Sequence, residues 1–163
     1  MAKENFHSDG WLLINKPQGI ESFGVIRKLK FRYSFKKIGF AGTLDPLASG
    51  LLLVGINKAT KKIPNIHREK KSYEVEIRFG ASTNTLDSEG RFFKMESSSH
   101  NINERVSHLK KFIGTYQQKI PDFSAHKLNG KNFYELARDN KAIEDRHKKV
   151  SVQSLDRKST RLN

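Results

Sequence analysis

Four stretches of the chain carry a readable pattern of apolar and polar positions. Trp11-Leu12-Leu13-Ile14 is a continuous apolar run of strand length, and the turn-forming Asn15-Lys16-Pro17-Gln18-Gly19 ends it. From Phe23 to about Tyr33 the spacing becomes helical. Phe23, Ile26 and Leu29 fall on one face, Arg27, Lys28, Lys30 and Arg32 cover the rest, and Ser22 is placed to cap the first turn. Leu51 to Ile56 predicts a second buried strand. Ser72 to Gly80 is the most regular of the four. Tyr73, Val75, Ile77 and Phe79 alternate with Glu74, Glu76 and Arg78, the period of a half-buried strand.

Weaker signals fill the remainder. A short helix after Lys61 meets Pro64. Ala81 to Arg91 is a polar loop, Phe92-Phe93 begins a strand, and Ser97 to Asn103 reads as a linker. A helix follows, with Val106, Leu109, Phe112 and Ile113 apolar and Gly114 as its stop. Asn129-Gly130 predicts a tight turn, and Val150 and Val152 alternate within a strand from Lys148 to Leu155. Internal repeats and a separate linker-bounded domain are not evident.

Composition narrows the function classes. A chain of 163 residues forms one domain with a modest core. No apolar run approaches the ~20 residues of a membrane-spanning helix. The first ten residues, MAKENFHSDG, have no apolar core of a signal peptide. Without cysteine there is neither a disulfide framework nor a thiolate metal site, and a cytoplasmic location is expected. Charge changes the picture most: 31 Lys and Arg against 17 Asp and Glu leave a net +14. Such a surplus points to a polyanionic partner, nucleic acid above all. For the basic helix face, a solvated surface and RNA contact are equal readings.

Candidate chemistry concentrates between Gly39 and Gly50, GFAGTLDPLASG. Gly39, Gly42 and Gly50 permit a tight loop, and Pro46 biases Asp45 toward an extended backbone. A carboxylate on a stiff turn between two strands is a plausible catalytic device. Asp-Pro is also a common turn dipeptide, and spacing alone favours that structural reading.

GTLDPLASG, however, resembles the catalytic motif of the TruB family of tRNA pseudouridine synthases, whose Asp is the nucleophile; that position here is Asp45, flanked by Gly42, Thr43 and Leu44 as substrate-binding positions. Five further segments carry the resemblance. NKPQGIES is similar to an N-terminal motif that packs beside the active site, which implies a structural role for Lys16 and Pro17 and places Lys16 near substrate. Asn57-Lys58-Ala59-Thr60-Lys61 resembles G-x-A-T-K. Lys71-Ser72-Tyr73-Glu74-Val75 resembles the motif whose Tyr stacks on the target base; on pattern alone Tyr73 would be a core residue. Thr83, Thr85, Asp87 and Gly90 resemble T-x-T-x-D-x-x-G, and their spacing does not fit an EF-hand calcium loop. Gln118 to Arg138 resembles the segment that grips the RNA stem-loop, with Pro121, Ser124, Ala125, Lys127, Gly130, Lys131, Tyr134 and Arg138 in the matching places.

The resemblance implies an α+β fold, a mixed and mainly antiparallel sheet with flanking helices, for residues 10–155. Residues 1–9 are expected to be a disordered N-terminus and 156–163 an unmatched tail. It implies conversion of uridine 55 in the tRNA T-loop to pseudouridine. The base is flipped out, Asp45 acts as nucleophile, and Tyr73 stacks on the base and helps remove the final proton. The tRNA T arm is the implied partner, no metal or cofactor is required, no membrane is involved, and a monomer is expected. Two departures stand out. Phe40 occupies the place of a family His that supports the flipped-out RNA; Phe can stack there but cannot hydrogen-bond. The family also continues for about as long again, with an Arg that pairs with the catalytic Asp and often a small RNA-binding PUA domain. A truncated chain is therefore expected, poor in catalysis. The alternative is a non-catalytic RNA-binding remnant of such an enzyme; a ribosomal or DNA-associated basic protein is a more distant one and would have no use for the Asp45 loop.

Overall fold

Leu52, Val54 and Ile56 alternate along one face of a single strand and are at most 1% exposed. Burying an aliphatic side chain fully is worth roughly 1.5–3 kcal/mol, so this strand anchors everything packed on it. The computed structural model describes residues 4–67, 69–95, 102–121, 127–128, 131–132 and 146–158. They divide into two compact units, Met1–Val75 and Glu76–Asn163, each described by itself.

In the first unit the elements run β1 (Glu4–Asn5), β2 (Gly10–Lys16), α1 (Ser22–Arg32), β3 (Tyr33–Ser34), β4 (Ile38–Ala41) and β5 (Gly50–Ile56). A 3-10 helix (Asn57–Lys62) and α2 (Ile63–Ile66) follow. β5 lies between β2 and β4 and is antiparallel to both. Leu12 and Phe40 flank Val54 in this register, Ile14 lies opposite Leu52, and Ile38 lies opposite Ile56. That face packs on Val25 and Ile26 of α1, with Leu29, Ile20 and Phe40 half-buried around them. The opposite face of the sheet leaves Leu13 71% and Leu51 67% exposed. The apolar runs thus hide a two-faced strand, because successive side chains point to opposite sides.

Helix α1 differs from the expected face. Ser22, Val25 and Ile26 are buried and Leu29 half-buried, a stripe at i, i+3, i+4 and i+7, whereas Phe23 is 54% exposed beneath the Arg27 guanidinium at 5.6 Å. Ser22 is not the cap. Glu21 precedes the helix with extended backbone, and its side chain makes no capping bond.

The N-terminal segment also departs from expectation, because residues 4–9 are held in place. β1 pairs with β3 in parallel, and Phe6 packs against Tyr33 and Phe35 with ring centroids 6.3 and 5.6 Å apart. Asn57 ties this segment down. Its amide nitrogen faces the carbonyls of Phe6, His7 and Ser8 at 3.3, 3.4 and 2.9 Å, and its side-chain oxygen accepts from the Lys37 N–H at 3.2 Å. Asn57 has φ 52, left-handed backbone that Gly and Asn tolerate best. This gives a physical reason why Asn can stand where the similar motif carries Gly.

The strand expected over Ser72 to Gly80 does not form. Residues 71–78 have no regular secondary structure, and Tyr73, Val75, Ile77 and Phe79 are 71, 70, 56 and 42% exposed. Alternation prepares a segment for a sheet, but a strand exists only when a neighbour pairs its backbone, and no described strand lies beside this one.

In the second unit β6 (Ala81–Thr83) and β7 (Phe92–Met95) form an antiparallel ribbon with a bulge at Ser82/Thr83. The polar loop between them is structured. Thr83 donates to the Asp87 carbonyl at 2.7 Å, and the Asp87 carboxylate accepts from the Thr85 hydroxyl at 2.6 Å and the Glu89 N–H at 2.9 Å. A Cβ on Gly90 would collide with the Thr85 hydroxyl, which explains a glycine there. Helix α3 (Ile102–Lys110) ends earlier than the apolar pattern suggested. β8 (Gly114–Lys119) pairs antiparallel with β11 (His147–Val152) along its whole length. β9 (Lys127–Leu128) pairs antiparallel with β10 (Lys131–Asn132); the Asn129-Gly130 turn expected between them lies outside the described residues. Helices and chiefly antiparallel strands make the chain α+β; the strands are distributed over a three-stranded sheet and four two-stranded ribbons among the described residues.

Candidate active site

The loop 42–49 is suspended between β4, half-buried throughout, and β5, whose core face is buried. Gly42 opens it with φ 79, a backbone setting that an L side chain would strain. Asp45 then begins a turn closed by the Ala48 N–H on the Asp45 carbonyl at 3.0 Å, with Pro46 and Leu47 at its tip. Thr43 and Asp45 are exposed and Leu44 is half-buried. Among the described residues the Asp45 carboxylate has no hydrogen-bond or ion-pair partner, so it is presented outward on a loop whose backbone is fixed.

That backbone is fixed from the segment after β2. The Leu44 N–H donates to Ser22 Oγ at 2.9 Å, and Ser22 Oγ donates back to the Leu44 carbonyl at 2.9 Å. The Gly19 N–H donates to the Pro46 carbonyl at 2.8 Å. Lys16 is fully buried, and its ammonium donates to the carbonyls of Pro17 and Ile20 at 3.0 and 2.8 Å, which shapes the turn that reaches the loop. Lys16 therefore occupies a structural position, with no charge presented at the surface. Phe40 is half-buried with its ring against the α1 core cluster.

Tyr73 belongs to the same unit as Asp45 and exposes its ring on the irregular segment 71–78 after α2. Ser124, Tyr134 and Arg138 lie outside the described residues. Lys127 and Lys131 are described only through their backbones, as the paired strands β9 and β10. An open, mainly apolar hollow of about 420 Å³ is lined by Ile14, Pro17, Leu29 and Tyr33 together with Lys28 and Arg32. Asp45 does not line it, and the Asp45 loop, with its fixed backbone and free carboxylate, is the stronger chemical candidate. The contribution of Ser22 was hidden in the sequence by its position before an amphipathic helix, where a capping role is the ordinary expectation.

Residues 30–163 match the family described as "TruB family pseudouridylate synthase (N terminal domain)". The chain belongs to this family. It is similar to the protein named tRNA pseudouridine synthase B of Clostridium kluyveri, 39% identical over 148 residues that cover 91% of this chain and 51% of that protein. The protein of the same name from Aquifex aeolicus is 40% identical over 148 residues, 91% of this chain and 52% of its own length. That of Ureaplasma urealyticum serovar 10 is 42% identical over 142 residues, 86% and 62% respectively. The chain spans about half the length of the first two of these relatives.

Proposed function

We propose that this chain carries the nucleophile-bearing half of a tRNA pseudouridine synthase acting on the uridine at position 55 in the T-loop. The observation that carries the reading is Asp45, an exposed carboxylate on a backbone-fixed loop in a chain of the TruB family. The target base is flipped from its stack, at a cost of a few kcal/mol. The Asp45 carboxylate attacks the nucleoside, the glycosidic bond breaks, and the base rotates and rejoins through carbon as the bond to Asp45 breaks and frees the carboxylate. The proton displaced from that carbon is taken up by a base, and the Tyr73 oxygen serves this step. The exposed Tyr73 ring offers a face for the base to stack on. The +14 charge holds the phosphates of the T arm, and the folded RNA is read by shape rather than as a linear duplex. Ser124, Lys127, Lys131, Tyr134 and Arg138 grip the stem-loop in this reading, with Thr43 and Leu44 beside the base.

The test is pseudouridine formation from T-arm RNA under single-turnover conditions, with Asp45→Asn beside the unaltered chain. Loss of product with retained RNA binding is expected. Equal product from both would remove Asp45 from the reaction. RNA bound tightly with no product from the unaltered chain would favour the binding-remnant reading.

A further inference from the structure

We propose that Ser22 is a positioning residue for the Asp45 nucleophile: its hydroxyl latches the peptide group immediately before Asp45 and thereby sets the direction of the carboxylate. The inference rests on Asp45 being the nucleophile. The Ser22 hydroxyl occupies an unusual post. Ser22 is the first residue of α1 and 2% exposed, where a serine ordinarily bonds the backbone of its own helix. Here the side chain instead reaches a residue 22 positions away and makes two hydrogen bonds, both with Leu44.

A hydroxyl has one proton to give and two lone pairs to accept with. Ser22 uses both capacities on the same residue, accepting from the Leu44 N–H and donating to the Leu44 carbonyl, each at 2.9 Å. The Leu44 carbonyl and the Asp45 N–H share one planar peptide group. Holding the carbonyl therefore holds the plane from which the Asp45 Cα is built. On the other side, the Asp45 carbonyl accepts from the Ala48 N–H and the Pro46 carbonyl accepts from the Gly19 N–H. Pro46 itself biases Asp45 toward extended backbone. Asp45 is thus pinned before and after, and the chief freedom left to its carboxylate is rotation of its own side chain.

The anchor is rigid enough to matter. Ser22 lies just ahead of the buried Val25 and Ile26, whose side chains share a core cluster with Leu52 and Val54 of β5. The loop is therefore referenced to the hydrophobic core through one hydroxyl, in addition to its covalent ends. Misplacement of a reacting group by about 1 Å can cost ~100-fold in rate, so a latch that contributes little to global stability can contribute much to turnover.

The experiment compares the unaltered chain with Ser22→Ala and Asp45→Asn by backbone amide exchange, T-arm RNA affinity and single-turnover pseudouridine formation. Alanine keeps the helix start and fits the space. In the unaltered chain the Leu44 amide should be protected although it lies in a loop. In Ser22→Ala that protection should fall about tenfold or more, while the amides of Leu52 and Val54 keep theirs. Turnover should fall ~10- to 100-fold, with the RNA dissociation constant unchanged within about twofold. An unprotected Leu44 amide in the unaltered chain, or protection that survives Ser22→Ala, would overturn the latch. Loss of protection with unaltered turnover, in a background where Asp45→Asn is inactive, would overturn its positioning role. Full turnover by Asp45→Asn would instead remove the functional reading on which the latch depends, whatever Leu44 does.

Discussion

The Lys16 ammonium donates to the Ile20 carbonyl at 2.8 Å across one turn of chain, and no part of Lys16 is exposed. A buried cation is tolerable only when its protons are satisfied, and here the Pro17 carbonyl takes another of them at 3.0 Å. Lys16→Met keeps the stem and removes the charge, leaving both carbonyls without these donors. The expected loss is about 1–3 kcal/mol of stability by denaturant unfolding. RNA affinity should keep the same slope against log salt, because this ammonium faces no phosphate. A slope reduced by about one would place Lys16 in the RNA interface after all.

Asn57 separates a backbone effect from a side-chain effect. Asn57→Gly relieves the left-handed strain but deletes the bonds that hold the Phe6–Ser8 segment and Lys37. Asn57→Ala deletes the same bonds and adds strain, which costs about 1–2 kcal/mol for an L residue with a Cβ. Both variants should lose stability, alanine by about 1 kcal/mol more than glycine. Equal losses would show that the backbone at 57 relaxes on substitution.

Much of the first unit was legible because local rules and packing agree there. β2, α1 and β5 lie within a few residues of their periodic patterns, and the Asp45 loop spans the two strands that its glycines and proline imply. Three features were hidden, each for a reason of long-range partnership. The segment 72–80 has perfect alternation but no described strand to pair with. Residues 4–9 look featureless, yet Asn57 and the Phe6, Tyr33 and Phe35 rings hold them from far along the chain. Ser22 reads as a cap and bonds Leu44 instead. The second unit was legible chiefly in the polar loop around Gly90.

Asp9 supplies a pH dependence. Its carboxylate accepts from the Lys58 N–H at 3.0 Å and lies 3.5 Å from the Lys58 ammonium, which holds its pKa below the ordinary carboxylate value; the backbone hydrogen bond is the larger cause. A carboxyl depressed on folding adds stability above its unfolded pKa of ~3.9, and that contribution fades as pH falls through the lower folded value. The pair is exposed, so the effect is small and screened by salt. Between pH 6 and pH 3, Asp9→Asn should therefore lose slightly less stability than the unaltered chain. Parallel pH profiles for the two would mean that the Asp9 contact does not persist in solution.

Tyr73 tests whether an exposed aromatic has work to do. At 71% exposure its ring contributes little to the fold, so Tyr73→Phe and Tyr73→Ala should each leave stability within about 0.5 kcal/mol. Their effects on RNA should diverge. Phenylalanine keeps the stacking face, so affinity for T-arm RNA stays within about twofold of the unaltered chain. Alanine removes the face and should weaken binding by ~1–3 kcal/mol, the usual worth of one base on an aromatic ring. Single-turnover pseudouridine formation should fall in both, because Tyr73→Phe also lacks the oxygen that takes up the final proton. Full turnover in Tyr73→Phe would reduce the residue to a stacking platform. Unchanged affinity in Tyr73→Ala would show that the ring does not meet the base at all.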